Sequence, residues 1–363
     1  MAKKVQNIRH LGYSDLEAFL LSIGEKKFRA KQVWEWLWTK HAFSFADMTN
    51  LSKELRQKLG ENFTLPALAV SSTQHSADGT LKSGFVTHEG HLCEGVLIPT
   101  ENRNTACVSS QIGCSLSCKF CATGYIDRKR NLDFDEIYDE AVLLNQQSLK
   151  TYGKKLSNIV FMGMGEPLLN YKNVLTAIEK ITAEDGLAMS PRRITVSTAG
   201  VAKMIKQLGD DGVKFKLALS LHAASDAKRN EIMPINESNN LKALIEALNY
   251  FYQKTGNEIT LEYILFNNFN DGPKDADDLI KVYRQVPADL VNIIEYNPID
   301  FAKFEKPSEQ RTNEFMAYLE KHKVNARLRR SRGKDIDAAC GQLANKNLTH
   351  NNKPSSPAAK HSS

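Results

Sequence analysis

The chain has 363 residues, 42% of them apolar and 25% charged, the make-up of an ordinary folded protein with one large core and a smaller unit beside it. No apolar run reaches membrane-spanning length, the opening Met1-Ala2-Lys3-Lys4-Val5 is no signal segment, and six cysteines are too few and too clustered for a disulfide scaffold. A cytoplasmic protein free of membranes is therefore expected, and 48 basic against 42 acidic residues permit an acidic partner such as RNA without requiring one.

Residues 1–65 read as a small helical domain. Leu16, Phe19, Leu20 and Ile23 recur at helical spacing, and Gly24 suits a helix end. The next helix carries Trp34, Trp36 and Trp38, with Val33, Leu37 and some of the tryptophans expected in the core. Lys27, Arg29 and Lys31 beside them fit either an RNA-phosphate surface or a solvated helix end. A third helix is expected to open near Ser52 and run through Leu59.

Over residues 66–99 the period changes. Segments 67–72, 82–88 and 93–99 read as short antiparallel strands parted by Asp78-Gly79 and Glu89-Gly90 turns. From about residue 104 a strand–helix alternation runs six times, with strands expected at 105–110, 158–162, 193–197, 214–220, 258–265 and 290–296. Asp133 and Glu136 form a capping pattern, and Leu241, Leu244, Ile245, Leu248 and Phe251 mark a clean amphipathic helix. Such alternation implies an α/β fold with a parallel sheet wound into a full or partial barrel over residues 100–343. Chemistry in these folds gathers at the C-terminal ends of the strands.

The motifs fall at those ends. After the first strand come Cys114, Cys118 and Cys121 in Q-I-G-C-S-L-S-C-K-F-C-A-T-G. Three thiolates on one short loop can hold three corners of a 4Fe–4S cluster and leave the fourth iron open. A zinc knuckle with His222 as a distant fourth ligand is the alternative. The second strand ends in F-M-G-M-G-E-P, the third in Ser197-Thr198-Ala199-Gly200, the fourth in Ser220-Leu221-His222 and the sixth in Tyr296-Asn297-Pro298. Each ending alone is a weak signal; five around one mouth are a strong one. Arg327 to Lys334 adds five positive charges, either a solvated edge or an RNA-backbone contact. Cys93 reads as a buried structural thiol. Residues 344–363 are polar and read as a disordered tail.

The C-x-x-x-C-x-x-C spacing with Phe120 before the third cysteine resembles the radical SAM superfamily. That resemblance implies a partial (β/α)6 barrel, a cluster held by Cys114, Cys118 and Cys121, and S-adenosylmethionine (SAM) on its open iron. The motifs C-V-S-S-Q-I-G-C, F-M-G-M-G-E-P-L-L-N, V-S-T-A-G, S-L-H, M-P-I-N, Y-N-P and D-I-D-A-A-C-G-Q-L extend it further. Over about residues 10–345 the chain is similar to the RlmN family of dual-specificity adenine-C2 methyltransferases of 23S ribosomal and transfer RNA. Carbon 2 of adenine has no lone pair with which to attack a sulfonium methyl, so a radical route answers the chemical problem.

The family resemblance implies two SAM molecules per turnover. One methylates Cys340, and the other is held by Gly165, Glu166, Ser197, Ser220, Leu221, His222 and Asn297. It also implies that a radical formed on the Cys340 methyl adds to the adenine, and that Cys107 releases the product as a Cys107–Cys340 disulfide forms. Glu94, thirteen residues before Cys107, takes the place of the proton acceptor. A monomer served by a flavodoxin or ferredoxin system is expected. The sister Cfr-type reaction at carbon 8 and a non-catalytic metal-binding RNA module are the other readings; Asp335-Ile336-Asp337 and Pro167 favour the C2 group.

Overall fold

The computed structural model describes residues 6–344. The expected disorder of the tail falls on residues 345–363, outside those described. Three helices open the chain, α1 (Tyr13–Ser22), α2 (Phe28–Trp38) and α3 (Lys53–Asn62). Leu16, Leu20, Val33, Leu37, Trp38, Leu55 and Leu59 are buried, as their spacing demands, while Trp34 and Trp36 are only partly covered. Ser52 caps α3, its Oγ accepting the Leu55 N–H at 3.1 Å. Tryptophan joins this unit to the rest: Lys180 Nζ lies 4.4 Å from the Trp38 ring centroid and 4.6 Å from that of Trp34. A buried ion pair, Arg9 Nη1 to Asp139 Oδ1 at 2.6 Å, pins the same junction.

One sheet of ten strands organises the remainder of the chain. In chain order these are β1 (Ala69–His75), β2 (Leu81–Val86), β3 (Leu92–Pro99), β4 (Asn104–Cys107), β5 (Asn158–Phe161), β6 (Ile194–Thr198), β7 (Lys216–Ser220), β8 (Ile259–Leu265), β9 (Leu290–Glu295) and β10 (Ala326–Arg329). The first four pair antiparallel, and β4 to β10 pair parallel through helical crossovers. The antiparallel segment is thus continuous with the parallel sheet rather than set beside it. The barrel is open, with β1 and β10 as its edges. All six expected strands are present, and Ala326–Arg329 adds a seventh parallel one by pairing with β9.

The crossovers obey their local signals. Helix α4 (Phe134–Tyr152) begins at the Asp133/Glu136 capping box and ends at Gly153 in the left-handed region. The helix Leu241–Thr255 starts where Asn240 accepts the Ala243 N–H at 3.0 Å, and buries Leu244, Leu248 and Phe251.

Beyond β10, residues 331–344 run back across the barrel mouth as a strap. Lys334 Nζ meets Glu295 Oε2 at 2.8 Å, and Gly333 N–H reaches Asp78 at 2.9 Å in the β1–β2 turn. Farther on, Gly341 O accepts from Ala122 N–H and Leu343 O from Thr123 Oγ, both at 2.7 Å. The Ala344 N–H ends the strap on Glu94 Oε2 at 2.8 Å. Cys340 is therefore delivered to the cysteine loop by a segment anchored at both ends.

Candidate active site

Strand β4 leads into the cysteine loop, which its own backbone tightens. Cys121 N–H donates to Cys118 O at 3.2 Å, Gly124 N–H to Cys121 O at 2.9 Å, and Lys119 N–H to Ile232 O at 3.0 Å. A Cβ on Gly124 would stand 2.8 Å from Cys118 O, so only glycine closes the turn. Cys114, Cys118 and Cys121 all line one cavity with Gly163, Gly165, Glu166, Ser197, Ser220, His222 and Cys340. Four of the five strand endings that the sequence singles out line this cavity; the sixth strand reaches it through Ile294, while Tyr296, Asn297 and Pro298 do not line it.

Burial keeps these thiols protonated in the absence of a cation. It pushes Cys114 up to about 11, and raises Cys118 and Cys121 as well. A bound cation converts such thiols to thiolates. Among the described residues, the cysteine sulfurs are not gathered within 4.8 Å of one another as the ligand atoms of His10, Asp133 and Asp135 are. Tetrahedral zinc with Zn–S bonds of about 2.3 Å would draw its sulfurs to within about 4 Å. Three thiols on one short loop facing a cavity suit the corners of a cluster.

His222 is no candidate for a closed tetrahedron either. Its Nδ1 accepts the Ile264 N–H at 3.2 Å, which fixes the proton on Nε2. Its ring stands edge-on to Phe120 at 4.7 Å. Burial, helped by the Arg229 charge, lowers its pKa to about 3, so it is a neutral donor facing the cavity.

The G-M-G-E turn is built for close approach. Gly165 has φ +93, and a Cβ there would meet Gln111 at 2.4 Å. Gln111 Oε1 accepts the Glu166 N–H at 2.9 Å. Both Glu166 carboxylate oxygens are already engaged, one by Leu168 N–H at 3.1 Å and one by Ala199 N–H at 2.8 Å. Glu166 therefore holds the turn in shape, and the turn's main chain faces the cavity. Ser197 and Ser220 join their hydroxyls at 3.2 Å across β6 and β7. Neutral donors, hydroxyls and exposed main chain form a polar cradle beside the cysteines, which fits a zwitterionic amino-acid ligand such as SAM.

Leu221 is fully buried, and among the expected contacts it can offer only main chain. Asn297 donates from Nδ2 to the Cys340 carbonyl at 3.2 Å. Cys107 lines a second, larger cavity inside the barrel together with Cys121 and Cys340. Burial, reinforced by the neighbouring Cys340, raises the Cys107 thiol far above its usual range. Glu94 stands apart from both cavities, buried under the strap with Lys82 Nζ at 3.5 Å.

Three residues at the site escaped the sequence reading, and a fourth, Arg329, stands there in another role than its basic run suggested. Glu140 of α4 accepts the Ser109 N–H at 3.0 Å, and Ser109 Oγ ties Glu94 O to Met164 N–H at 2.7 and 2.8 Å. A glutamate sharing its helix face with Ile137 and Leu144 was the available signal. Glu262 also points into the barrel, and nothing in the pattern of β8 announced it; Arg329, part of a basic run that fits a solvated edge or an RNA contact, points there as well.

Comparison with known proteins agrees with this geometry. The model of the ribosomal RNA large subunit methyltransferase N-terminal domain matches residues 6–65, and that of the radical SAM superfamily matches residues 108–280. A probable dual-specificity RNA methyltransferase RlmN of Cytophaga hutchinsonii is 55% identical over 345 residues, covering 95% of this chain and 94% of that one. The chain belongs to the RlmN family. A probable RlmN of Christiangramia forsetii is 53% identical over 341 residues, covering 94% of this chain and 97% of the other. The crystal structure of a radical SAM methyltransferase from Sphaerobacter thermophilus superposes with a TM-score of 0.87 at 36% identity, over 93% of this chain and 99% of that one. As an RlmN-family member the chain is a radical SAM RNA methyltransferase, and superfamily membership implies a 4Fe–4S cluster and SAM. Among the described residues no helix is long and apolar enough to cross a membrane.

Proposed function

We propose that this chain methylates carbon 2 of adenine in 23S rRNA and in tRNA, using Cys340 as methyl carrier and Cys107 as the releasing thiol. The observation that carries this reading is that Cys107 and Cys340 share one interior cavity, beside the loop of Cys114, Cys118 and Cys121. A binding module would have no use for that pair.

Cys114, Cys118 and Cys121 would hold the cluster, and the Gly163–Gly165 main chain, Ser197, Ser220, Leu221, His222 and Asn297 would hold SAM. When bound, the cluster and SAM supply a 5′-deoxyadenosyl radical. The protein's own residues do the rest. Cys340 takes a methyl group from one SAM, loses a hydrogen atom from that methyl to the radical, and joins the resulting methylene to carbon 2. Glu94 accepts the C2 proton as the radical adduct gives up its unpaired electron to a one-electron acceptor of the redox system that serves the enzyme. The methylene takes up a proton when its bond to sulfur breaks. Cys107 then attacks the Cys340 sulfur, which frees the RNA and leaves a disulfide between the two cysteines.

The strap supports this division of labour. It fixes Cys340 by main-chain bonds on either side, and Cys340 lines both the cysteine cavity and the interior cavity that Cys107 also lines. Glu94 of β3 accepts the Ala344 N–H at the strap's end, which ties the proposed acceptor to the segment that carries Cys340, although its carboxylate lines neither cavity. Soluble action as a cytoplasmic monomer with a flavodoxin- or ferredoxin-type donor completes the proposal.

The test is a denaturing gel of mutant enzyme incubated with RNA, SAM and reductant. Cys107→Ala should trap a covalent protein–RNA band, and Cys340→Ala should give none. Release of methylated RNA by Cys107→Ala at the parental rate would refute the assignment.

A further inference from the structure

Glu262 of β8 is 3% exposed and turned into the barrel. Its Oε1 is saturated, accepting from Thr260 Oγ and Asn292 Nδ2, both at 2.8 Å. Its Oε2 is buried and accepts no hydrogen bond; the nearest charge is Arg329 Nη1 at 3.8 Å. A buried carboxylate oxygen left without a donor is costly, so such an atom in a binding cavity marks the place of a ligand's N–H or O–H.

Arg329 reaches the same spot from β10. Its charge is favoured most by Cys340, against burial, and then by Glu262 and Cys107. Glu262, Arg329, Cys107 and Cys340 all line the cavity of about 490 Å³ inside the barrel, a size that holds a small ligand. Along its wall the acceptor Glu262 stands beside the donor Arg329, and Cys340 lines the same cavity; all three also reach the neighbouring cysteine cavity.

Adenine carries the complement of this order on its Watson–Crick edge: the amino N–H, then the N1 lone pair, then carbon 2. We propose that Glu262 and Arg329 read that edge of the flipped-out target base, the amino group donating to Glu262 Oε2 and Arg329 donating to N1. Carbon 2 then falls beside Cys340. The inference rests on the C2 function proposed above and supplies its base specificity.

Enzymes that extrude a base read it in this way. Guanine reverses the pattern, setting its O6 against the carboxylate and its N1–H against the guanidinium. A cation on N1 also draws electron density from carbon 2 as the new bond forms. The opposite edge of adenine repeats the order as amino group, N7 and carbon 8, so the pair alone does not choose the carbon. The experiment must.

Full-length reconstituted enzyme is given RNA stem-loops with purine riboside, 1-deazaadenosine or 7-deazaadenosine at the target position. Loss of the amino group or of N1 should each lower kcat/KM about 10- to 100-fold, and loss of N7 less than about threefold. Glu262→Gln keeps the shape and the Oε1 contacts but turns an N–H toward the amino group. Its preference for adenine over purine should collapse to about one.

Equal turnover of adenosine and purine riboside by the parent enzyme would overturn the proposal, whether or not the variant folds. So would a Glu262→Gln enzyme whose SAM affinity falls by the same factor as its RNA methylation, since the acceptor would then serve the cofactor. An 8-methyl product with sensitivity at N7 would refute the C2 reading itself, while leaving the amino contact upheld.

Discussion

Asn297 holds Cys340 by its main chain: the side-chain amide donates to the Cys340 carbonyl at 3.2 Å, across 43 residues of sequence. The proposed methyl carrier is thereby tied to the end of β9, in the same sheet whose strand ends frame the cysteine cavity. A single net hydrogen bond is worth about 1 kcal/mol, or roughly fivefold in an equilibrium. Asn297→Ala should therefore slow methyl loading of Cys340 about fivefold, read by mass spectrometry of the peptide that contains it. Parental loading would show that the tie does not position the thiol.

The cluster assignment makes a sharper demand. Replacing Cys114, Cys118 or Cys121 singly by Ala should abolish the visible absorbance of anaerobically reconstituted protein while far-ultraviolet dichroism stays parental. A full cubane in any one of the three variants would remove that cysteine from the ligand set.

At the junction with the N-terminal unit, the Arg9–Asp139 pair predicts a pH-dependent stability. Burial, ahead of the opposing pull of Arg9, raises Asp139 to about 6. Protonated Asp139 therefore favours the folded state; this contribution is complete below about 3.9, the unfolded value, and is lost as pH rises through about 6. Arg9→Met leaves a buried carboxylate with only the Leu68 N–H for support at pH 8 and should cost about 3–5 kcal/mol there. Denaturant titrations should show the difference from the parent shrinking as pH is lowered toward 5. A constant difference across that range would contradict the account.

Among the basic residues, the structure separates free charges from structural ones. Arg332 approaches Asp78 at 3.6 Å and Lys334 meets Glu295 at 2.8 Å, so both serve the strap. Arg330 is 70% exposed, with Glu309 only at 3.5 Å. Arg330→Glu should reduce the salt slope of RNA binding by about one unit. An unchanged slope would take Arg330 out of the RNA surface.

The cysteine loop was legible in the sequence because a cluster fixes both residue type and spacing, and the strand endings because β-branched runs stop at glycine and polar residues. Arg327 and Arg329 were less legible, since charges in a short segment fit a solvated edge and an RNA-backbone contact equally well. Both line the polar barrel interior, while Leu328 between them packs on the surrounding core, the reverse of the usual inward-facing alternation. The strap was invisible for another reason. Its anchors join residues such as Glu94 and Ala344, separated by 250 positions, and no local period records a pairing at that distance.

The most direct test of the whole account is the isotopic content of the product made with SAM carrying a trideuterated methyl group. Removal of one hydrogen atom from methylated Cys340 before carbon–carbon bond formation predicts 2-methyladenine retaining two of the three deuterium atoms. A product with all three, or with the methyl group on any other carbon, would contradict transfer through Cys340 to carbon 2.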